Sequence, residues 1–141
     1  MPACDYGRSG KKRLEPEAQM NDEANEIRAI ANDVVAMAKA GMLDAIGEKY
    51  WDDDVISFEA MDGPMAVTEG IDEVRGKSDW WNAAHEVHSV EVHGPWVNAD
   101  QFSVRFVMDV TAKESGTRMT MDEIALYTVD DGKIIEERFF Y

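Results

Sequence analysis

One carboxylate interrupts an otherwise apolar pattern, which makes it the first candidate for chemistry. Along Thr117–Val129, the residues Met119, Met121, Glu123, Ala125, Tyr127 and Val129 recur at the period of two that places side chains on one face of a strand. The opposite face, with Thr120, Asp122, Ile124, Leu126 and Thr128, is mixed. A sheet turns its more apolar face to the core, so Glu123 is expected to point inward. Burial disfavours a carboxylate's charged form and raises its pKa toward neutrality, where a general acid or base works best. The Tyr127 hydroxyl shares that face and could donate to a substrate carbonyl. A structural role is the rival reading: Glu123 could pair with Arg105, Arg118 or Arg138.

A second carboxylate, Glu137, lies beyond the turn Asp130–Asp131–Gly132. A three-residue turn with a bulge would pair Val129 with Lys133, set Ala125 opposite Glu137, and make Glu123 and Glu137 diagonal neighbours about 7–8 Å apart between Cα atoms. Two such carboxylates would push their pKa values apart. A two-residue turn would shift the pairing and put Glu137 on the outside. Tyr141 falls on the same face as Glu137. His85 is a candidate proton carrier, since its unperturbed pKa lies near 6.5. His85, His88 and His93 lack the i, i+4 spacing of a zinc helix, so no metal is expected. No Gly-rich phosphate loop or Ser-His-Asp order is present either, and no cofactor is expected. The candidate walls are Trp81, Phe106, Met108 and Met121, which suit a small apolar or aromatic molecule.

The elements that position these residues follow from periodicity. Ile27, Ile30, Val34 and Met37 mark one face of a helix starting at Asn21 or Asp22 and stopped by Gly41. A short helix over Leu43–Tyr50 follows, then the break Asp52–Asp53–Asp54 and a strand over Val55–Ala60. Met61–Thr68 reads as a loop, and a third helix runs from Ile71 to His85 with Ile71, Val74, Trp81 and His85 on one face. The rest is strand: Val87–Val97 interrupted at Gly94–Pro95, then Gln101–Ala112, Thr117–Val129 and Lys133–Tyr141. Helices followed by long antiparallel strands predict an α+β fold whose helices cover one face of a curved sheet. Val107, Ile124, Leu126, Ile134 and Phe140 give the outer face enough apolar surface to suggest that it is covered.

Length and charge bound the function. The 141 residues suffice for one domain with a full core. Fourteen Lys and Arg against 29 Asp and Glu leave a net charge of −15, which argues against nucleic acid and anionic membrane partners. No apolar run reaches the roughly 18 residues of a membrane helix. Residues 1–20 read as a disordered polar leader, and residues 21–141 as the domain. The single cysteine, Cys4, lies in that leader and can form no disulfide within the chain. A cytoplasmic location is the expectation.

The order of elements resembles the nuclear transport factor 2-like superfamily, and within it the SnoaL-like polyketide cyclase and ketosteroid isomerase branches. The resemblance rests on Ala40-Gly41-Met42-Leu43-Asp44-Ala45-Ile46, Tyr50-Trp51-Asp52-Asp53-Asp54-Val55, Glu69-Gly70-Ile71-Asp72-Glu73-Val74 and Asp130-Asp131-Gly132-Lys133-Ile134-Ile135, and it spans about residues 21–141. It implies a cystatin-like cone: a curved antiparallel sheet covered by three helices from the N-terminal half, with a pocket between them and a homodimer through the convex sheet face. The positions corresponding to the ketosteroid isomerase tyrosine, base and protonated aspartate fall at Val34, near Phe58 and at Ala125, all apolar, which argues against steroid isomerisation by that constellation. A one-residue slip would bring Glu59 to the base position. Phe58 then counts among the expected ligand contacts. The fold hosts several activities, so the function rests on the site. The expectation is a cofactor-independent isomerase, cyclase or dehydratase with Glu123 as acid/base and Glu137 or His85 assisting; the alternatives are a non-catalytic ligand-binding module and an accessory dimerisation module.

Overall fold

Alternating apolar residues build the sheet as their spacing predicts. In the computed structural model, which describes residues 16–141, Phe102, Val104, Phe106, Met108 and Val110 are all buried along one face of β4 (Gln101–Ala112). The other strands are β1 (Trp51–Phe58), β2 (Val67–Glu69), β3 (His85–Asn98), β5 (Thr117–Asp130) and β6 (Lys133–Phe140). They form one six-stranded sheet in the order β2-β1-β6-β5-β4-β3. The sheet is mixed rather than wholly antiparallel, because β1 runs parallel to β6. A parallel pair needs a long crossover, here the whole stretch from β2 through β5.

Three helices cover one face: α1 (Pro16–Lys39), α2 (Leu43–Tyr50) and α3 (Ile71–Ala84). On α1, Ile27, Ile30, Ala31, Val34, Val35 and Ala38 are buried at helical spacing against the sheet. The helix ends at Gly41, whose φ of +77° is a conformation glycine adopts freely, and the Met42 amide reaches back to the Met37 carbonyl at 2.9 Å. Its start differs from the expected cap at Asn21 or Asp22: the helical backbone already begins at Pro16, inside the expected leader. The remainder of that leader, with Cys4, lies outside the described residues. Among the described residues no helix is long and apolar enough to cross a membrane.

Two further expectations are corrected. Asp52–Asp54 do not break the chain but belong to β1, where the pairing with β6 is irregular between Trp51 and Ile56. Val67–Glu69, expected as loop and the start of the next turn, adds a short edge strand beside β1.

Candidate functional site

β5 places its residues as the alternation demands: Ala125, Tyr127 and Val129 are buried, while Ile124 on the other face is 43% exposed. Glu123 therefore enters the space between sheet and helices, across from Phe106 on β4. It does not pair with arginine. Arg105 makes two hydrogen bonds to Asp122 (2.9 and 2.7 Å) and Arg118 two to Asp109 (2.9 and 2.7 Å), both pairs on the outer face. Arg138 pairs with Glu136 at 3.3 Å and lies 3.9 Å over the Phe58 ring.

The β5–β6 hairpin settles the second carboxylate in an unexpected way. Asp130 pairs with Lys133, so the turn is the two-residue kind, with positive φ at Asp131 (48°) and Gly132 (74°). An unbroken ladder from that turn would put Glu137 outside. Instead Val129 pairs with Ile134 while Thr128 pairs with Glu136, so Ile135 is an extra residue. This bulge reverses the facing of everything after it. Ile134 is fully buried, not on the outer face as expected, and Glu137 is buried too, at 6% exposure. Glu137 sits opposite Tyr127 rather than Ala125. It is thus four residues along the ladder from Glu123, roughly 13 Å of strand, and the two are not diagonal neighbours.

β1 contributes the other wall. Val55 and Ser57 are fully buried, and Ser57 lies beside Glu137 on β6. The same alternation brings Glu59 inward and turns Phe58 outward over Arg138, so Phe58, expected as a ligand contact, does not line the cavity. On α3, Val74, Lys77 and Trp81 follow one another at i, i+3 and i+7, and Lys77 is buried within that apolar stripe. Its ammonium donates to Ser57 Oγ and pairs with Glu59 Oε1 at 3.0 Å, 5.2 Å from the Phe139 ring centre. Ser57 in turn hydrogen-bonds Glu137, and the Trp51 Nε1–H reaches Glu137 Oε2 at 3.4 Å. The Tyr141 hydroxyl donates to Glu59 Oε2 at 3.1 Å. A continuous polar chain results: Tyr141, Glu59, Lys77, Ser57, Glu137, Trp51.

Glu123 stands apart from that chain; among the described residues no side chain hydrogen-bonds or ion-pairs with it. Burial, then the charges of Glu59 and Glu137, push its carboxyl up to about 7 against the opposing pull of Lys77. Burial also raises Glu137, while Lys77, Ser57 and Trp51 hold it back. Burial and the nearby Glu137 and Glu123 raise the phenol of Tyr127, which keeps it a proton donor at neutral pH.

These groups face a cavity of about 550 Å³ lined by Glu59, Lys77, Trp81, His85, Phe106, Met108, Met121, Glu123, Tyr127, Glu137, Phe139 and Tyr141, among others. Of the residues expected at the site, only Phe58 is missing from it. His85 joins from the far end: its backbone pairs with Ala112, six residues along β4 from Phe106, the partner of Glu123. Its ring stacks on Trp81 (4.4 Å between centres), and Nδ1 lies 2.9 Å from the Trp81 carbonyl. A carbonyl only accepts, so Nδ1 carries the hydrogen and Nε2 is left to face other partners. Sequence reasoning missed Lys77 and Ser57. The signal for Lys77 was its place midway between Val74 and Trp81.

Residues 26–141 match the SnoaL-like domain family. A crystal structure assigned as a SnoaL-like polyketide cyclase from Mesorhizobium loti is 54% identical, with a TM-score of 0.80 over 82% of this chain and 98% of that one. A protein from Catenulispora acidiphila with a ketosteroid isomerase-like fold, crystallised with trimethylamine, has a TM-score of 0.61 at 17% identity over 79% of this chain and 84% of its own. A nuclear transport factor 2-like protein from Burkholderia xenovorans gives 0.62 at 14% identity over 84% and 88%. Functionally curated proteins give no match. The last two structures share the fold alone, whereas the family match and the high identity to the Mesorhizobium protein establish kinship: the chain belongs to the SnoaL-like domain family.

Proposed function

We propose that the protein is a cofactor-independent enzyme of the isomerase, cyclase or dehydratase type, acting in the cytoplasm on a small hydrophobic carbonyl compound. Glu123 is the general acid/base. The observation that carries this reading is a single one: Glu123 is a carboxyl without a partner among the described residues, set in an apolar cavity and titrating near pH 7. As carboxylate it takes a proton from the carbon beside the substrate carbonyl. The electron pair moves onto the carbonyl oxygen, where the Tyr127 hydroxyl stabilises the developing enolate by hydrogen bonding. Glu123, now protonated, returns the proton to a different carbon, or to a leaving hydroxyl in a dehydration.

Glu137 has a supporting role, because it is tied into the Lys77 chain. His85 lies at the other end of the cavity, roughly 20 Å of strand from Glu123, so it supports the wall rather than exchanging a proton with that residue. The small-ligand part of the reading gains support from the trimethylamine bound to the Catenulispora protein. The dimer expected through the convex face belongs to the same proposal: Ile124 and Phe140 are cross-strand neighbours there, 43% and 49% exposed.

The test is deuterium wash-in. The protein is incubated in D2O with 2-tetralone, a flat aromatic ketone, and exchange at the carbons beside the carbonyl is followed by proton NMR. Exchange above the buffer rate, rising with pH through about 7 and lost in Glu123→Gln, is expected. Exchange at the buffer rate, or undiminished in that variant, refutes Glu123 as the base and leaves the non-catalytic binding module as the better reading.

A further inference from the structure

The charges facing the cavity do not balance. Lys77 is the one Lys or Arg among the described lining residues, against the carboxylates of Glu59, Glu123 and Glu137 and the exposed ones of Asp44 and Asp62. Lys77 is already committed to Glu59 and Ser57. Glu123 is left over, and its surroundings are aromatic. Phe106 lies across from it on β4. On the other side Ile124 pairs with Phe140, so the next residue of the chain, Tyr141, ends level with Glu123. Tyr127 is four residues further along β5, 5% exposed, and among the described residues no hydrogen bond takes its hydroxyl.

A carboxylate without a counter-charge, flanked by aromatic residues on both neighbouring strands, is the arrangement that recognises an organic cation. The carboxylate supplies the charge, and the rings add a cation–π attraction that strengthens as the site dries. A small ammonium flanked by apolar groups is desolvated cheaply, unlike a metal ion. An anion would meet five carboxylates against one ammonium. We propose that the ligand of this cavity is a hydrophobic molecule carrying one alkylammonium group, seated at Glu123 between Phe106 and Tyr141. The inference rests on the small-ligand reading above and narrows its ligand class. It also fits the catalytic part of that reading, since a bound cation holds Glu123 in the carboxylate form that acts as base.

Three monosubstituted benzenes of similar size separate charge from shape: phenyltrimethylammonium, its uncharged carbon isostere tert-butylbenzene, and the anion benzenesulfonate. Trp51, Trp80 and Trp81 line the cavity, so quenching of tryptophan fluorescence in the full chain at pH 8 reads binding directly. The cation is expected to bind at least 10-fold more tightly than the isostere, and the anion most weakly. Glu123→Gln is expected to reduce the preference for the cation to less than 3-fold, with an unchanged circular dichroism spectrum verifying that the variant is folded. Equal binding of cation and isostere by the wild type overturns the cation proposal and leaves the hydrophobic-ligand reading standing. A preference that survives Glu123→Gln overturns the placement at Glu123. No binding of any of the three up to their solubility overturns both readings.

Discussion

Replacing Glu123 by Gln is expected to stabilise the protein above pH 7 and to cost about 1 kcal/mol near pH 4.5. The ordinary carboxyl value is 4.5, and in the fold it is about 7. The folded state therefore holds this proton more tightly than the unfolded chain does. The stability conferred by that proton is complete below pH 4.5 and is lost as pH rises through 7. Between those two values the loss amounts to about 3 kcal/mol. Glutamine carries no charge at any pH, so it escapes the loss. Its amide still needs hydrogen bonds in a half-buried site, which costs about 1 kcal/mol. The net gain at pH 8.5 is then about 2 kcal/mol. Urea unfolding followed by tryptophan fluorescence at pH 4.5, 6, 7 and 8.5 measures it for both proteins. The difference between them largely cancels the other carboxyls, which titrate in both. A difference that stays flat across this range would refute the assignment of a neutral-pH titration to Glu123.

Three other substitutions test the architecture around it. Lys77→Met strands Glu59 and Glu137 without their counter-charge and is expected to cost about 3–5 kcal/mol in urea unfolding; adding Glu137→Gln should recover part of that. Arg105→Ala removes an exposed ion pair and should barely move the urea midpoint, with the effect shrinking further in 1 M salt. Deletion of Ile135 removes only the extra residue and leaves Thr128 opposite Glu136 and Tyr127 opposite Glu137, so Glu137 stays inward; the expected result is a regular hairpin and retained cooperative unfolding in circular dichroism.

Period-two alternation made β4 and β5 legible, and with them Glu123, because each strand has one apolar face and one mixed face. The legible part stopped where facing depends on something other than local alternation. Ile134 and Glu137 are three residues apart and both face inward, which no regular strand allows. Only the extra residue at Ile135 makes it possible, and nothing in Lys133–Phe140 distinguishes a bulged strand from a regular one. Phe58 was misplaced for a related reason. Its facing follows from the parallel pairing of β1 with β6, two segments more than seventy residues apart, whose register local sequence does not encode. Lys77 was hidden by its type. A lysine in an amphipathic helix is normally solvated, and only the positions of Val74 and Trp81 on either side mark it as inward.

That lysine determines which carboxylate can do chemistry. Burial and mutual repulsion oppose ionisation of the carboxylates set deepest in the cavity, Glu123 and Glu137. A single ammonium cannot partner these two and Glu59 as well. Lys77 sits on α3 where it meets Glu59 directly and Ser57 beside Glu137, so the polar chain accounts for two of them. The third, four residues along the ladder from Glu137 and outside the chain, keeps the full effect of its surroundings. Glu123 therefore titrates near pH 7 because of where Lys77 is, as much as because of where Glu123 is. Lys77 need not touch a substrate to matter: moving the ammonium toward Glu123 would lower that carboxyl and free Glu137 to rise further, transferring the acid/base role to the more deeply buried of the two.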